Sequence, residues 1–158
     1  MKLKDSDELA NLCLITDEDI LIITKNGMSI RIKSTEISSQ GRLTTGVKGI
    51  TLSKDDEVLT ALPIRDLKDD LAIFYTAGTA KRISLTELPC QNRAGKGLTV
   101  ADKNLASASL VNDNDVVLIS GDTNSICVSC KDIPKMARSN AFGNTMIKNS
   151  KIVSVTKV

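Results

Sequence analysis

The residues best suited to chemistry lie in the heptapeptide QNRAGKG, residues 91–97, which holds two cations and two glycines. Glycine allows the backbone to approach a ligand closely, and Arg93 and Lys96 supply charge and hydrogen-bond donors, so this loop could contact phosphate. The loop is not a nucleotide-binding loop, because Gly95-Lys96-Gly97 lacks the G-x-x-x-x-G-K-[ST] spacing. The alternative is an ordinary glycine turn with solvated charges.

Two other loops carry weaker versions of the same pattern. GRLTTGVKG, residues 41–49, offers Arg42 and Lys48 among three glycines, and either phosphate contact or a turn without a ligand fits it. ARSNAFGN, residues 137–144, keeps Arg138 but little other charge, so we expect it to contribute least.

Other cations are predicted on strands or next to them. Lys81-Arg82 aligns with Ile30-Arg31 and is either the solvated face of a strand or part of the same phosphate-binding surface. Weaker candidates on the same argument are Lys25, Arg31, Lys33, Lys131 and Lys135.

Nothing in the sequence indicates a catalytic, metal or cofactor site. Cys127 and Cys130 have the spacing of half a zinc site, but the chain has no histidine and no second C-x-x-C. We therefore interpret all four cysteines as free, small core residues. The acidic clusters at 17–19, 55–57 and 69–70 are expected in turns, where Asp is favoured for backbone reasons.

The elements that must position these residues repeat along the chain. Three segments align without gaps at offsets of 51 and 45 residues: 20–42, 71–93 and 116–138. Each begins with an apolar run, passes a polar turn, continues with alternating residues and ends at an arginine, Arg42, Arg93 or Arg138. Short apolar stretches frame the segments at 9–15, 58–64, 106–111 and 152–158.

This period predicts an all-β fold of propeller type. Four short strands in about 50 residues, with turns at 25–27, 77–78 and 122–124, match one propeller blade. We expect a single repeat domain, 1–158, with approximate blades 7–56, 57–104 and 105–158. The last framing stretch, KIVSVTKV, must then close onto the first blade, pair with another copy of the chain or form an exposed edge.

Composition and charge agree with an intracellular strand-rich domain. Aromatics make up 2% of the residues, so the core must be built from aliphatic side chains, which favour strands. The net charge is only +2, but residues 25–48 hold five cations against one acid. Because no apolar run is long enough to span a membrane and the first residues lack a signal-peptide pattern, we expect a cytoplasmic location and no membrane contact.

The repeats resemble the C-terminal domain of the A subunit of bacterial DNA gyrase or topoisomerase IV. The resemblance rests on TKNGMSIRIKSTEISSQGRLTTGVKGITLSKDDEVLTALPI, residues 24–64, and on the two units that follow it, and it covers nearly the whole chain. It implies a β-pinwheel of about three four-stranded blades, open relative to a full five- or six-bladed domain. QNRAGKG is similar to the heptapeptide gyrase box, Q-R/K-R-G-G-R/K-G, from which Asn92 and Ala94 depart.

The resemblance also implies a function and partners. A chain of this family would bind and bend double-stranded DNA at the nucleoid without catalysis or a cofactor. Its protein partners would be the ATPase B subunit and the catalytic core that completes the A subunit. The implied DNA-binding residues are Arg42, Lys48, Lys81, Arg82, Gln91, Arg93, Gly95, Lys96, Gly97 and Arg138. Self-association through blade edges is a further expectation, and a propeller-like protein-interaction module without DNA binding is the alternative function.

Overall fold

The structure, a computed structural model, describes residues 3, 5–140 and 142–158. Regular structure within these residues consists of short strands and three-residue 3₁₀ turns, which confirms the predicted all-β class. The strands are β1 (Asp19–Thr24), β2 (Met28–Lys33), β3 (Val58–Ile64), β4 (Asp70–Tyr75), β5 (Thr79–Ser84), β6 (Leu98–Thr99), β7 (Leu105–Val111), β8 (Val116–Gly121), β9 (Ser125–Ser129), β10 (Asn144–Thr145) and β11 (Ile152–Lys157).

The strands form three antiparallel sheets. Sheet 1 has the order β3-β1-β2-β6, sheet 2 has the order β7-β4-β5-β10, and sheet 3 has the order β11-β8-β9. Each of the first two sheets takes its fourth, two-residue strand from the loop that follows the next hairpin. Among the described residues sheet 3 has only three strands, so β9 forms its open edge.

KIVSVTKV forms an edge strand, which is one of the three arrangements expected for it. β11 pairs with β8 of its own unit, just as β3 pairs with β1 and β7 with β4, and it lies at one end of sheet 3 with Val153 exposed. Residues 9–15 form no strand, although the Asn11 side chain hydrogen-bonds the backbone of Ala61 in β3. The segments 7–56, 57–104 and 105–158 therefore do not each supply one sheet.

The hairpin turns occur where the sequence predicted them. Gly27 and Gly78 have φ values of 79° and 96°, a left-handed conformation that glycine adopts without steric cost. A Cβ added at Gly27 would also collide with the carbonyl of Ala101 in the loop before β7. These turns are therefore crossed closely by the loop that leads to the next framing strand.

The core of the described residues consists of three clusters, two that lie between neighbouring sheets and a third on sheet 1 around Ile30 and Ile50. One cluster of buried aliphatic side chains joins sheets 1 and 2, where β3 packs against β7, and a second joins sheets 2 and 3, where β7 packs against β11. Tyr75 is buried in β4, in keeping with its apolar surroundings in the sequence. The described residues include no helix long and apolar enough to cross a membrane.

Buried acids correct the expectation that the acidic clusters lie wholly in turns. Asp19 and Asp70 begin β1 and β4 and are buried, because each forms an ion pair with an arginine twelve residues later, Arg31 or Arg82. Asp115 occupies the same place in the third unit. It pairs instead with Lys157 of β11, at 2.6 Å, because the arginine position is Cys127.

Candidate nucleic-acid interface

The heptapeptide 91–97 lies along β2, the strand of sheet 1 that pairs with β6. Its backbone begins with a hydrogen bond from the Gln91 amide to the Arg31 carbonyl, at 2.7 Å, and runs directly into β6, where Leu98 pairs with Ser29. The loop therefore belongs to the second unit in sequence and to the first sheet in space. This position follows from the strand that each unit supplies to its predecessor.

Arg93 anchors this loop. Its backbone amide donates to Glu36 Oε2 at 2.7 Å, and its Nη1 donates to the Lys48 carbonyl at 2.7 Å. These contacts join the heptapeptide to the end of the 41–49 loop. Arg93 is half-buried and is therefore a structural residue as well as a cation.

The glycines of the heptapeptide have separate roles. Gly97 has a φ of 78°, and a Cβ there would collide with the Ser29 carbonyl oxygen. Gly95 accepts a hydrogen bond from the Thr51 amide at 2.8 Å and packs next to Ile30. Close packing of the loop on sheet 1 accounts for both glycines, so neither of them indicates a ligand by itself.

Three of the cations predicted in these two loops are exposed and form no ion pair with any described residue: Arg42, Lys48 and Lys96. They lie on the two loops that Arg93 joins, and the Ala94 amide reinforces the junction by donating to the Gly49 carbonyl at 2.8 Å. This pair of loops is the basic edge, defined as residues 41–49 and 91–97. Its cations can bind an anion without breaking an ion pair.

The third loop repeats the anchor but not the charge. The Arg138 amide donates to Glu87 Oε2 at 2.8 Å, and its Nη1 donates to the Thr99 carbonyl at 2.7 Å, which are the equivalents of both Arg93 contacts. Its neighbours Ser139 and Asn140 are uncharged. Arg138 therefore serves first to hold its loop on sheet 2.

The interpretation of Lys81 and Arg82 as a solvated or phosphate-facing pair is wrong. Lys81 is fully buried, and its Nζ contacts the carbonyls of Arg138 and Asn140 beneath the third loop. Burial lowers the pKa of Lys81 from its usual 10.5. Arg82 is 5% exposed and is held by the carboxylates of Asp70 and Asp113 and by the Ile133 carbonyl.

Most of the weaker candidates are neutralised by acids. Lys33 and Arg31 share Asp19, at 2.9 and 2.7 Å, while Lys25 contacts Glu57 at 2.6 Å. Burial raises the pKa of Asp19, but hydrogen bonds and charge from Lys33 and Arg31 outweigh that effect and hold it below its usual value. The same ion pair raises the pKa of Lys33.

The two remaining candidates lie near the third unit. Lys135 contacts Asp70 at 2.8 Å, in the way that Lys33 contacts Asp19. Lys131 is exposed and forms no ion pair within the described part of the chain, but it lies in the 3₁₀ turn after β9, outside the basic edge. Lys131 is therefore separate from Arg42, Lys48 and Lys96, which lie on the basic edge.

Sequence reasoning missed a second set of exposed lysines. Lys54, Lys103 and Lys148 lie in the loops that precede β3, β7 and β11, and each lacks an ion pair with the described residues. These loops cross the hairpin turns of sheets, as the hydrogen bond from the Val100 amide to the Gly27 carbonyl shows, at 2.8 Å. A lysine in the loop before each framing strand, with Lys151 as a second one before β11, was a repeated signal that the alignment of 20–42, 71–93 and 116–138 left out.

The cysteines are only partly as expected. All four are free, but Cys13, Cys90 and Cys127 are exposed and only Cys130 is buried, so the interpretation of all four as core residues is wrong. Cys127 lies on β9, whereas Cys130 begins the 3₁₀ turn that follows and is buried. The described residues contain no cluster of three or more potential metal ligands.

Sequence comparison relates the chain to type II topoisomerases. The family model described as "DNA gyrase C-terminal domain, beta-propeller" matches residues 18–65 and 69–118, which together exceed half of the chain. The A subunit of a DNA topoisomerase 4 from Streptococcus pyogenes serotype M3 (strain ATCC BAA-595 / MGAS315) is 36% identical over 101 residues, covering 63% of this chain and 12% of the relative. The A subunit of DNA gyrase from Mycobacterium leprae (strain TN) is 36% identical over 114 residues, covering 70% and 9%. The chain thus spans about a tenth of these relatives.

Solved structures show the same fold. A DNA gyrase A C-terminal domain superposes with a TM-score of 0.90 at 22% identity, covering 99% of this chain and 56% of that chain. The C-terminal domain of a DNA topoisomerase IV superposes with a TM-score of 0.85 at 21% identity, covering 90% and 47%. With the family match, the blade-like sheets and the repeated arginine loops all in agreement, the chain belongs to the family of DNA gyrase A C-terminal domains.

Proposed function

We propose that this chain binds duplex DNA through its phosphates along the basic edge and bends it, as a non-catalytic part of the A subunit of a bacterial type II topoisomerase. The observation that carries this proposal is the grouping of Arg42, Lys48 and Lys96, exposed and without ion pairs to the described residues, on two loops held together by Arg93. Phosphate contacts position a duplex without reading its sequence, so we expect little sequence preference.

Bending requires contacts spread over a surface. Curving a few tens of base pairs costs several kcal/mol by elastic estimates, so a single loop is insufficient. The exposed lysines before the framing strands, Lys54, Lys103 and Lys148, would supply further phosphate contacts. Single-stranded nucleic acid fits less well, since it is commonly held by aromatic stacking and aromatics are 2% of this chain.

The proposal includes the setting of the chain. In the intact enzyme the bent duplex would be presented to the catalytic core of the A subunit, working with the ATPase B subunit, in the cytoplasm at the nucleoid. The chain itself would cleave no DNA. Adding the purified chain to supercoiled plasmid should leave the DNA uncut, and a nicked or linear product would contradict a non-catalytic role.

The test is a titration of the chain with fluorescent duplex at increasing salt. The logarithm of the binding constant should fall linearly with the logarithm of salt, by about 0.9 per phosphate contact. A triple variant, Arg42→Gln, Lys48→Gln and Lys96→Gln, should lose about two to three units of that slope. Dyes at the two ends of the duplex should move closer together on binding if the duplex is bent.

The control removes the same number of charges from paired cations. Lys25→Gln, Lys33→Gln and Lys135→Gln changes three lysines whose charges are already matched by Glu57, Asp19 and Asp70. This variant should keep most of the slope. Equal losses in the two triple variants would mean that net charge alone attracts DNA, and absence of binding at low salt would contradict the proposal altogether.

A further inference from the structure

The structure contains the same strand-docking contact twice. β6 pairs with β2 through Leu98↔Ser29 and Thr99↔Met28, and β10 pairs with β5 through Asn144↔Ala80 and Thr145↔Thr79. In each case the donated strand directly follows a glycine, Gly97 or Gly143, at which a Cβ would collide with a backbone carbonyl of the receiving strand. Both donated strands therefore dock in the same register, which is called the docking rule below.

A pair of anchors accompanies each docked strand. The arginine that begins the loop donates its amide to a glutamate in the 3₁₀ turn of the receiving unit, Glu36 for Arg93 and Glu87 for Arg138. Its guanidinium donates to the carbonyl of the residue that would end the preceding donated strand, Lys48 or Thr99. These equivalences identify a third donor and a third receiver in the chain.

The third donor is the docking segment, RLTTGVK, residues 42–48. Arg42 and Gly46 stand where Arg93 and Gly97 stand in the next unit, and the φ of Gly46 is 81°, against 78° for Gly97. No sheet in the described part of the chain receives this segment, and the Leu43 side chain is 90% exposed. The segment is shaped for docking but has no described partner.

The third receiver is the open edge, β9. It stands where β2 and β5 stand, but within the described residues no strand covers it, and Ile126 and Cys127 are exposed on it. Asp132, in the 3₁₀ turn that follows, occupies the place of Glu36 and Glu87 and is exposed. An unpaired edge of this kind is a template for another strand.

Donor and receiver lie at opposite ends of one chain. Sheet 2 separates sheets 1 and 3, since β3 packs on β7 and β7 packs on β11. The docking segment is attached to sheet 1 and the open edge belongs to sheet 3. A second copy supplies both missing partners at once, and the chain covers 47% and 56% of two solved domains of the same fold, so two copies have about the size of one domain.

We propose that two copies of this chain associate by mutual strand donation, each placing its docking segment on the open edge of the other. The docking rule gives the register: Val47 of one copy lies opposite Ser125 of the other, and Lys48 opposite Asn124. The Arg42 amide of one copy then meets Asp132 of the other, and its guanidinium meets the Thr145 carbonyl. Each copy has one donor and one receiver, so the contact is head-to-tail, and the size of the two solved domains favours a ring that closes at two chains.

The first test measures mass. Light scattering of the purified chain should move with concentration from one chain, 17.0 kDa, toward twice that value. Arg42→Glu should weaken the dimer, because it removes the guanidinium that donates to the Thr145 carbonyl and places a carboxylate against that oxygen. Lys54→Glu makes the same charge change at an exposed lysine outside the docking segment and should leave the dimer intact. A monomer at every concentration up to the solubility limit, or open-ended polymers, would overturn the proposal.

The second test reads the register. β-bridges join Cys90 to Arg31 and Lys135 to Arg82, which by the same offsets places Ser39 of one copy beside Cys127 of the other. In a Cys13→Ser, Cys90→Ser background, Ser39→Cys should give an oxidised dimer whose crosslinked peptides join 39 to 127. Adding Cys127→Ser should abolish it. A crosslink of 39 to 39 alone, or none while light scattering shows a dimer, would contradict this register.

DNA binding by the basic edge is tested separately from this association. The salt dependence of DNA binding requires no second copy, and the mass measurement requires no DNA. A monomer that binds DNA would therefore overturn the strand donation and leave the proposed function standing.

Discussion

Among single residues, Ala94 departs from the related heptapeptide pattern, and its backbone conformation shows the effect of that departure. Its φ is 65°, in the left-handed region where a Cβ crowds the following carbonyl. The related heptapeptide pattern has glycine at this position. Ala94 therefore keeps the glycine conformation without the glycine, and its amide and carbonyl still bond Gly49 and Thr51.

Ala94→Gly should raise the free energy of unfolding by about 1 kcal/mol, because relief of the left-handed strain exceeds the entropy that glycine adds to the unfolded chain. Urea titration monitored by circular dichroism measures it. The control is Ala77→Gly, in a hairpin turn where φ is not positive; it should lower stability slightly. A loss of stability in Ala94→Gly equal to that in Ala77→Gly would show that position 94 is not strained.

Lys81 illustrates the opposite case, a charge where the repeat otherwise places isoleucine. The equivalent residues are Ile30 and Ile126, yet the ammonium of Lys81 is buried against backbone carbonyls. Burying a charge is costly unless its partners compensate. The lowered pKa of Lys81 expresses that cost.

Comparing the protein with Lys81→Met should reveal this cost through pH. Because the folded-state pKa lies below the usual 10.5, the unfolded chain binds more protons between those two values. Native stability relative to the variant should therefore rise as pH increases from 7 toward 10. Denaturant titrations of both proteins at several pH values measure the difference, and a flat difference would mean that Lys81 is not penalised by burial.

Among the strands and loops, the glycine before each donated strand controls whether a sheet gains its fourth strand. Gly97→Ala should cost roughly 2–3 kcal/mol, through left-handed strain and collision with the Ser29 carbonyl. Hydrogen exchange should show β6 and the edge of β2 losing protection first. Gly41→Ala, at a glycine with no neighbour within 4 Å, should have little effect. Uniform loss of protection over all sheets would contradict a local docking role.

The strands also mark where prediction from sequence succeeds. The hairpins were predictable, because polar turns interrupt apolar runs at a constant period, and the structure places β1–β2, β4–β5 and β8–β9 there. The donated strands were not assigned, because two residues such as Leu98-Thr99 carry no periodicity. Their presence depends on contact with a unit that is distant in sequence, as in Thr99↔Met28, which are 71 residues apart.

Over the full chain, the sequence identified the loops of the candidate site but only some of the residues that form it. The arginine loops were identified because they recur, and Arg42, Lys48 and Lys96 are exposed on them. Lys81 and Arg82 were misjudged because a cation on a strand is usually solvated. Here the buried acid Asp70 begins the neighbouring strand and draws Arg82 inward. Such a pairing twelve residues apart becomes visible only when the hairpin register is known.

The interleaving of the sheets has a consequence for how such a chain can change by genetic recombination. Sheets 1 and 2 do not correspond to contiguous stretches of sequence: sheet 1 draws on 19–33, 58–64 and 98–99. Recombination that joins positions that are not equivalent in two repeats therefore leaves one donated strand without a receiving strand and one receiving strand without a donated strand. An exchange between equivalent positions of two repeats, such as Arg42 and Arg93, restores a donor and a receiver at the new junction, so unequal crossing-over can shorten or lengthen the array while every interface keeps its register.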